Sequence, residues 1–155
     1  GRISVAAGCL GVIEDCLAEV IGYAKERQQH GKAIARHQLV QEHIAAIEMD
    51  RAATDALVQR AAEAKDASAA QPADAELRAR ADLLAAQAKL FAANAAWDAA
   101  DRAVQVYGGR GWSTLYRPGR HLMDVRVCRI YEGTDEILKL KVAAAVLGKE
   151  YEAYK

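Results

Sequence analysis

"LLAAQAKLFAANAAW", residues 83–97, decides the fold. Alanine is the best helix former and a poor core filler, so a run this rich in it reads as a helix packed closely on its neighbours. The wider stretch, about 73–106, places Leu77, Ala81, Leu84, Ala88, Phe91 and Ala95 in helical steps. Its small apolar face is broader than one intramolecular seam needs, which predicts packing between subunits as well.

Working outward, residues 3–27 repeat the pattern with Cys9, Ile13, Leu17, Val20 or Ile21, and Ala24, while Glu14, Asp15, Glu19, Lys25 and Glu26 fall mostly on the other side. Gly31 in "HGK" is read as the stop. A second pattern starts near Arg36 and runs through Leu39, Ile44, Ile47, Leu57 and Val58 to "DASAAQP", where Ser68 and Pro72 mark a turn. Beyond the alanine-rich helix, "YGGRGWSTLYRPGR" is read as the irregular stretch of the chain. Then Thr134 offers an N-cap, and Asp135 and Glu136 put negative charge where the helix dipole favours it. The last helix carries Ile137, Leu140, Ala144 and Leu147 to about Gly148. The expected fold is all-α, an up-down-up-down four-helix bundle whose fourth helix is entered through a glycine-rich loop.

Composition narrows the function classes. The chain has 155 residues, enough for one domain with its own core, and 52% of them are apolar. Twenty-one basic residues balance 21 acidic ones, which gives no general case for nucleic acid or an anionic membrane. The basic run "YRPGRHLMDVRVCR" is interrupted by Asp124 and apolar residues, and reads as a loop packing back on the bundle. Cys9, Cys16 and Cys128 lack ligand spacing, so reduced thiols and a cytoplasmic setting (or a mitochondrial matrix) are expected. His30, His37, His43 and His121 form no i,i+4 pair, so no metal site is expected. No apolar run is long enough for a membrane span. The chain opens at Gly1, without Met, inside a helical pattern. That predicts a single helical domain, 1–155, belonging to a longer protein.

Three segments suggest more than a bundle. In "YAKERQQHGKAIARHQLVQ", Arg27 and Gln38 place a cation and an amide around one corner; a capped helix hairpin with solvated charges is the plainer reading. In "AVQVYGGRGW", Gln105 and the pair Gly108 and Gly109 leave backbone N–H groups near a helix end, which can cradle a phosphate or serve only as a helix stop. In "RVCRIYEGTDEILKL", Glu132 stands just outside the helix it precedes.

In this order the segments resemble the C-terminal helical domain of the acyl-CoA dehydrogenase flavoproteins, over essentially the whole chain. The opening "RISVAAGCLG" is similar to the family's "R…AAGxLG", "RQQHGKAIARHQ" to "RxxFGxxIxxxQ" and "AVQVYGGRGW" to "AVQxxGGxGW/Y"; "MDVR" stands for "RDxR", and "AKLFA" and "IYEGT" are unchanged. The resemblance implies FAD as cofactor, an acyl-CoA substrate, an electron-transfer flavoprotein or other acceptor, and a homo-oligomer, dimer or tetramer. It also implies roles. Glu132 takes the α-proton of the thioester while the β-hydrogen leaves as hydride to the flavin, and Gly133 clears space beside the reacting carbons. Arg2 lies near the substrate. Arg27, Gln38, Gln105, Gly108 and Gly109 hold the pyrophosphate and adenosine of a neighbouring subunit's flavin. Thr134 and Glu136 contact the adenosine half in their own subunit. Tyr131 is expected to be a packing aromatic. Some relatives carry the base just before the arginine matching Arg2, which here is Gly1. The chain departs from the family at His30, where an aromatic Phe is usual, at Glu136, where some relatives have Gln, and at Met123, where Arg is usual. Two alternatives stay open: a bundle that only oligomerises or binds a partner, and an acyl-CoA oxidase on the same fold.

Overall fold

The computed structural model describes residues 1–153. Its core is made by three long helices, α1 (Arg2–Glu26), α2 (Gln38–Ala70) and α3 (Ala75–Tyr107). α1 buries Ala6, Cys9, Ile13, Cys16, Val20 and Ala24, and α3 adds Ala88, Ala92, Ala95, Ala96, Ala99 and Ala103 to the same core. Small side chains on α3 let the helix axes approach closely, since interaxial distance follows side-chain size. The seam of α1 runs through Cys16, leaving Leu17 at its edge, half-buried. Two other apolar residues expected in the core face outward: Leu39 is 80% exposed and Phe91 38%.

The connections differ from their sequence reading in three places. α1 stops at Glu26 and Gly31 does not end it. Instead β1 (Gln28–Gln29) and β2 (Lys32–Ala33) form a tiny antiparallel hairpin. Its two-residue turn, His30 and Gly31, has both φ angles positive, 52° and 75°, the conformation that suits the twist of a tight hairpin. Ser68 does not mark a turn; it is buried in the last turns of α2. The α2–α3 corner is ended by Asp74, whose Oδ1 accepts from the N–H groups of Glu76 at 2.8 Å and Leu77 at 3.0 Å.

The "irregular" stretch and the basic run contain a helix. After a 3-10 turn at Gly108–Arg110, α4 (Arg117–Arg126) begins with Pro118 in its first turn, where the missing N–H costs nothing. α4 packs on α3 and α1 with Pro118 and Val125 buried. Arg117 and His121 both reach Asp15 on α1, each at 2.6 Å.

The fourth helix of the bundle, α5 (Asp135–Leu147), lies along α3 and is tied to it by Lys141–Asp82 at 2.9 Å. Its buried apolar residue is Leu138. The apolar residues read along this helix are only partly covered: Ile137 is 46% exposed and Leu147 62%. Ile137, Leu140 and Ala144 line a groove of about 530 Å³ against Asp82 and Leu83 of α3. Among the described residues no helix is long and apolar enough to cross a membrane.

Candidate functional site

Glu132 sits in the turn between the 3-10 turn Val127–Arg129 and α5. Its φ is +56°, in the left-handed region that non-glycine residues rarely occupy, and Gly133 follows at +104°. A Cβ on Gly133 would meet Leu138 Cδ2 at 3.1 Å. Glycine is needed there for conformation and space alike. The far side of the turn is fixed by α5 itself: Thr134 Oγ1 accepts from Ile137 N–H at 3.4 Å, the N-cap expected from sequence.

Behind the turn lies a polar cluster. Arg2 Nε donates to the Glu132 carbonyl at 3.2 Å, and Lys89 Nζ donates to the Gly133 carbonyl at 2.7 Å. Asp135, 2% exposed, accepts through Oδ2 from Asn94 Nδ2 at 3.0 Å and Arg129 Nε at 2.9 Å; its Oδ1 is buried without a partner. Burial pulls the Lys89 ammonium below the ordinary lysine range, and the charge on Asp135 pushes back. Sequence reading missed Lys89, Asn94 and Arg129 as parts of this site. The signal available was the charged Lys89 inside an otherwise apolar alanine-rich run.

The carboxylate of Glu132 lies over the start of α1. A Cβ added to Gly1 would fall 2.0 Å from Glu132 Oε2. The two positions that the family resemblance offers for a base are therefore one place in space. Tyr131 is not simply packed away. It is 44% exposed, lines a groove with Cys9 and Cys128, and its hydroxyl lies 3.2 Å from Cys128 Sγ. That hydrogen bond and burial push its pKa up to about 12. Burial likewise pushes the Cys9 and Cys16 thiols to about 12, so they are inert core groups, as read.

At the other end of α1 a second group assembles. Arg27, the C-cap of α1, lines a hollow of about 370 Å³ with His30, His37, Tyr107, Gly108 and Gly109. Tyr107 forms its floor, stacked on Tyr23 at 4.1 Å and hydrogen-bonded to Glu19 at 2.8 Å. Gly108 has φ +61° and leaves its α-carbon open to solvent. An exposed guanidinium beside uncovered glycine backbone suits an anionic phosphate. Gln38 and Gln105 are solvent-exposed and do not line the hollow. Thr134 and Glu136 belong to the first end, where they line a small hollow with Arg126 and Arg129. Glu136 is held below the usual carboxylate range by its own backbone N–H and the Thr134 hydroxyl.

The two ends are separated by the 25 residues of α1, about 37 Å at 1.5 Å per residue. One flavin cannot touch both. Among the described residues no group of three or more His, Cys, Asp or Glu side chains is placed to hold a metal ion.

Comparison with known proteins places this arrangement. Residues 1–147 match the family model for the acyl-CoA dehydrogenase C-terminal domain. Butyryl-CoA dehydrogenase from Megasphaera elsdenii superposes with a TM-score of 0.84 at 35% identity, over 96% of this chain and 36% of that one. An acyl-CoA dehydrogenase from Bacillus anthracis, complexed with FAD, gives 0.86 at 28% identity over 97% of this chain and 27% of its own. Subunit CarC of the caffeyl-CoA reductase–Etf complex of Acetobacterium woodii is 34% identical over 96% of this chain and 37% of its length. The chain thus spans about a third of these relatives. With the family's model covering nearly all of it, the chain belongs to the acyl-CoA dehydrogenase family, in the part that forms the C-terminal helical domain.

Proposed function

We propose that the protein to which this domain belongs is an FAD-dependent dehydrogenase of acyl-CoA thioesters, with Glu132 as the base that takes the α-proton. The observation that carries this is the turn itself: a carboxylate in a left-handed conformation, held from behind by Arg2, Lys89 and the Asp135 cluster. Strain kept in place by several tethers is characteristic of functional turns. A carboxylate with an ordinary pKa near ~4.3 is a weak base toward a carbon acid, so its alignment with the proton matters. Hydrogen bonds to the thioester oxygen would stabilise the enolate-like charge that develops. The flavin, when bound, supplies the hydride acceptor, and an electron-transfer flavoprotein or another acceptor takes the electrons onward.

The residues present fit such a cofactor. Arg27 and the Gly108–Gly109 backbone suit its pyrophosphate. Thr134 and Glu136 lie near the base, where the flavin of the same subunit belongs. Because the two groups stand about 37 Å apart along α1, we assign them to two different flavins. That requires a homo-oligomer, dimer or tetramer, and the outward apolar stripe of α5 gives it a surface to bury.

The test is Glu132→Gln in the full-length protein. Flavin content should be retained while reduction of the flavin by saturated acyl-CoAs falls by at least roughly 10²–10⁴-fold, the size of a general-base contribution. Near-normal reduction would place the base elsewhere.

A further inference from the structure

Among the described residues Lys89 is the largest side chain that the fold buries completely, at 0% exposure, and the proton transfer itself, from the thioester to Glu132, does not involve it. Burying an ammonium is costly, and an apolar residue of similar volume commonly serves a core as well or better. Packing therefore does not explain a lysine here. What the ammonium adds is direction. Its Nζ lies 2.7 Å from the Gly133 carbonyl, the peptide immediately after Glu132 and Gly133, whose φ angles are both positive. Rotating that peptide away would break the hydrogen bond and leave the ammonium buried without this acceptor.

The surroundings fit an anchor. Asp135 supplies the counter-charge and is itself fastened to Asn94 and Arg129. Arg2 holds the neighbouring Glu132 carbonyl. Lys89 and Asn94 stand on α3, the rigid central helix, so the turn is referenced to the most buried element of the fold. Sites on rigid elements hold reacting groups more closely than free loops do.

We propose that Lys89 is a positioning residue for proton abstraction: by holding the Gly133 carbonyl it fixes the left-handed turn that aims the Glu132 carboxylate. This rests on Glu132 being the base. Lys89 touches no reacting atom and acts only through the backbone of the turn.

The experiment uses the full-length holoenzyme with butyryl-CoA, or octanoyl-CoA if that reduces the wild-type flavin faster. Lys89→Met keeps the unbranched stem and removes donor and charge. Its limiting rate of flavin reduction in single turnovers should fall by roughly 10–100-fold, the effect of misplacing a reacting group by about 1 Å. Flavin content and the Kd for acyl-CoA should stay within about twofold of wild type. The isotope effect with α-deuterated substrate should grow, because α-proton removal becomes more fully rate-limiting. Lys89→Gln, which keeps an N–H donor, should recover part of the rate. An unchanged limiting rate would overturn the proposal, as would losses of flavin and substrate affinity that account for the whole effect. If Lys89→Met does not fold, Lys89→Gln is read by the same criteria against wild type; if neither folds, Lys89 belongs to the fold and the positioning role is overturned. Glu132→Gln measured in parallel separates the two claims. Should it reduce flavin normally, the base assignment fails; should it be dead while Lys89→Met is unimpaired, only the role of Lys89 falls.

Discussion

At the N-terminal end of α1, Arg2 and Lys89 donate to the backbone of the turn around Glu132, and Asn94 and Arg129 donate to Asp135, which opens α5 just beyond it. At its C-terminal end, Arg27 is exposed and no described residue holds its guanidinium; Gly108 and Gly109 are likewise uncovered. The first end is organised by its own fold, whereas the second presents groups to something outside it. Pre-organisation belongs where a reacting atom must be aimed, and open donors belong where a cofactor carries its own shape to the site. The two ends should accordingly fail in different ways.

The largest contrast is between the domain and the whole protein. Residues 1–155 expressed alone should fold as a helical bundle, self-associate and hold little FAD. The core between α1, α2 and α3 supports independent folding, but on the proposed reading the Arg27 end would meet only part of a flavin, and the cofactor's ordering cost would then be poorly offset. Affinity should drop by orders of magnitude relative to the full protein. Sedimentation with flavin absorbance followed beside protein checks this. A monomer would remove the interface argument, and stoichiometric FAD would show the Arg27 end to be complete in itself.

Asp135→Ala attacks the organised end. It leaves Lys89 buried without its counter-charge and Arg129 without a partner, so the domain should lose about 3 kcal/mol of unfolding free energy, the lower end for breaking a buried pair. Urea titration measures it. A loss under about 0.5 kcal/mol, typical of surface changes, would mean that the cluster is not an anchor.

The contrast was only half legible in the sequence. Long helices announced themselves because alanines and aliphatics recur at 3.6-residue spacing over many turns, and Thr134 with Asp135 and Glu136 is a local signal for a helix start. α4 was hidden because Pro118 and Gly119 look like breakers. Pro118 in fact occupies a first-turn position, and a Cβ on Gly119 would stand 2.6 Å from the Gly111 carbonyl oxygen. The hairpin at 28–33 has strands too short to show any period. Lys89 pairs with a carbonyl 44 residues away, and the outward turn of Ile137 and Leu147 depends on which side of α5 meets α3. Such facts exist only in the tertiary structure.

Arg27→Ala tests the open end and should give the opposite pattern to Asp135→Ala. Unfolding free energy should stay within about 0.5 kcal/mol, since no described residue hydrogen-bonds or ion-pairs with its side chain. FAD retention in the full-length protein should weaken by roughly 1.5–3 kcal/mol, the worth of a charge-assisted hydrogen bond. Equilibrium dialysis or apoprotein titration reads it directly. Unchanged flavin affinity would reduce Arg27 to a solvated charge at a helix end.

The smallest effect lies between the two ends, where Asp15 on α1 holds α4 through Arg117 and His121. Burial pushes the Asp15 carboxyl up, but the His121 hydrogen bond and the Arg117 charge more than offset it, leaving its pKa below the ordinary value. The folded state therefore binds this proton less readily than the unfolded chain does. The stabilisation is present above the ordinary carboxylate range, near ~3.9, and is lost as pH falls through the lower folded value. Arg117 is 54% exposed, so solvent screens the pair and its worth is at most about 1 kcal/mol. Urea unfolding of wild type and Asp15→Asn should differ by about that much near pH 6 and converge as pH falls below the ordinary carboxylate range. A difference that stays constant across this range would mean that Asp15 acts through packing and not through its charge.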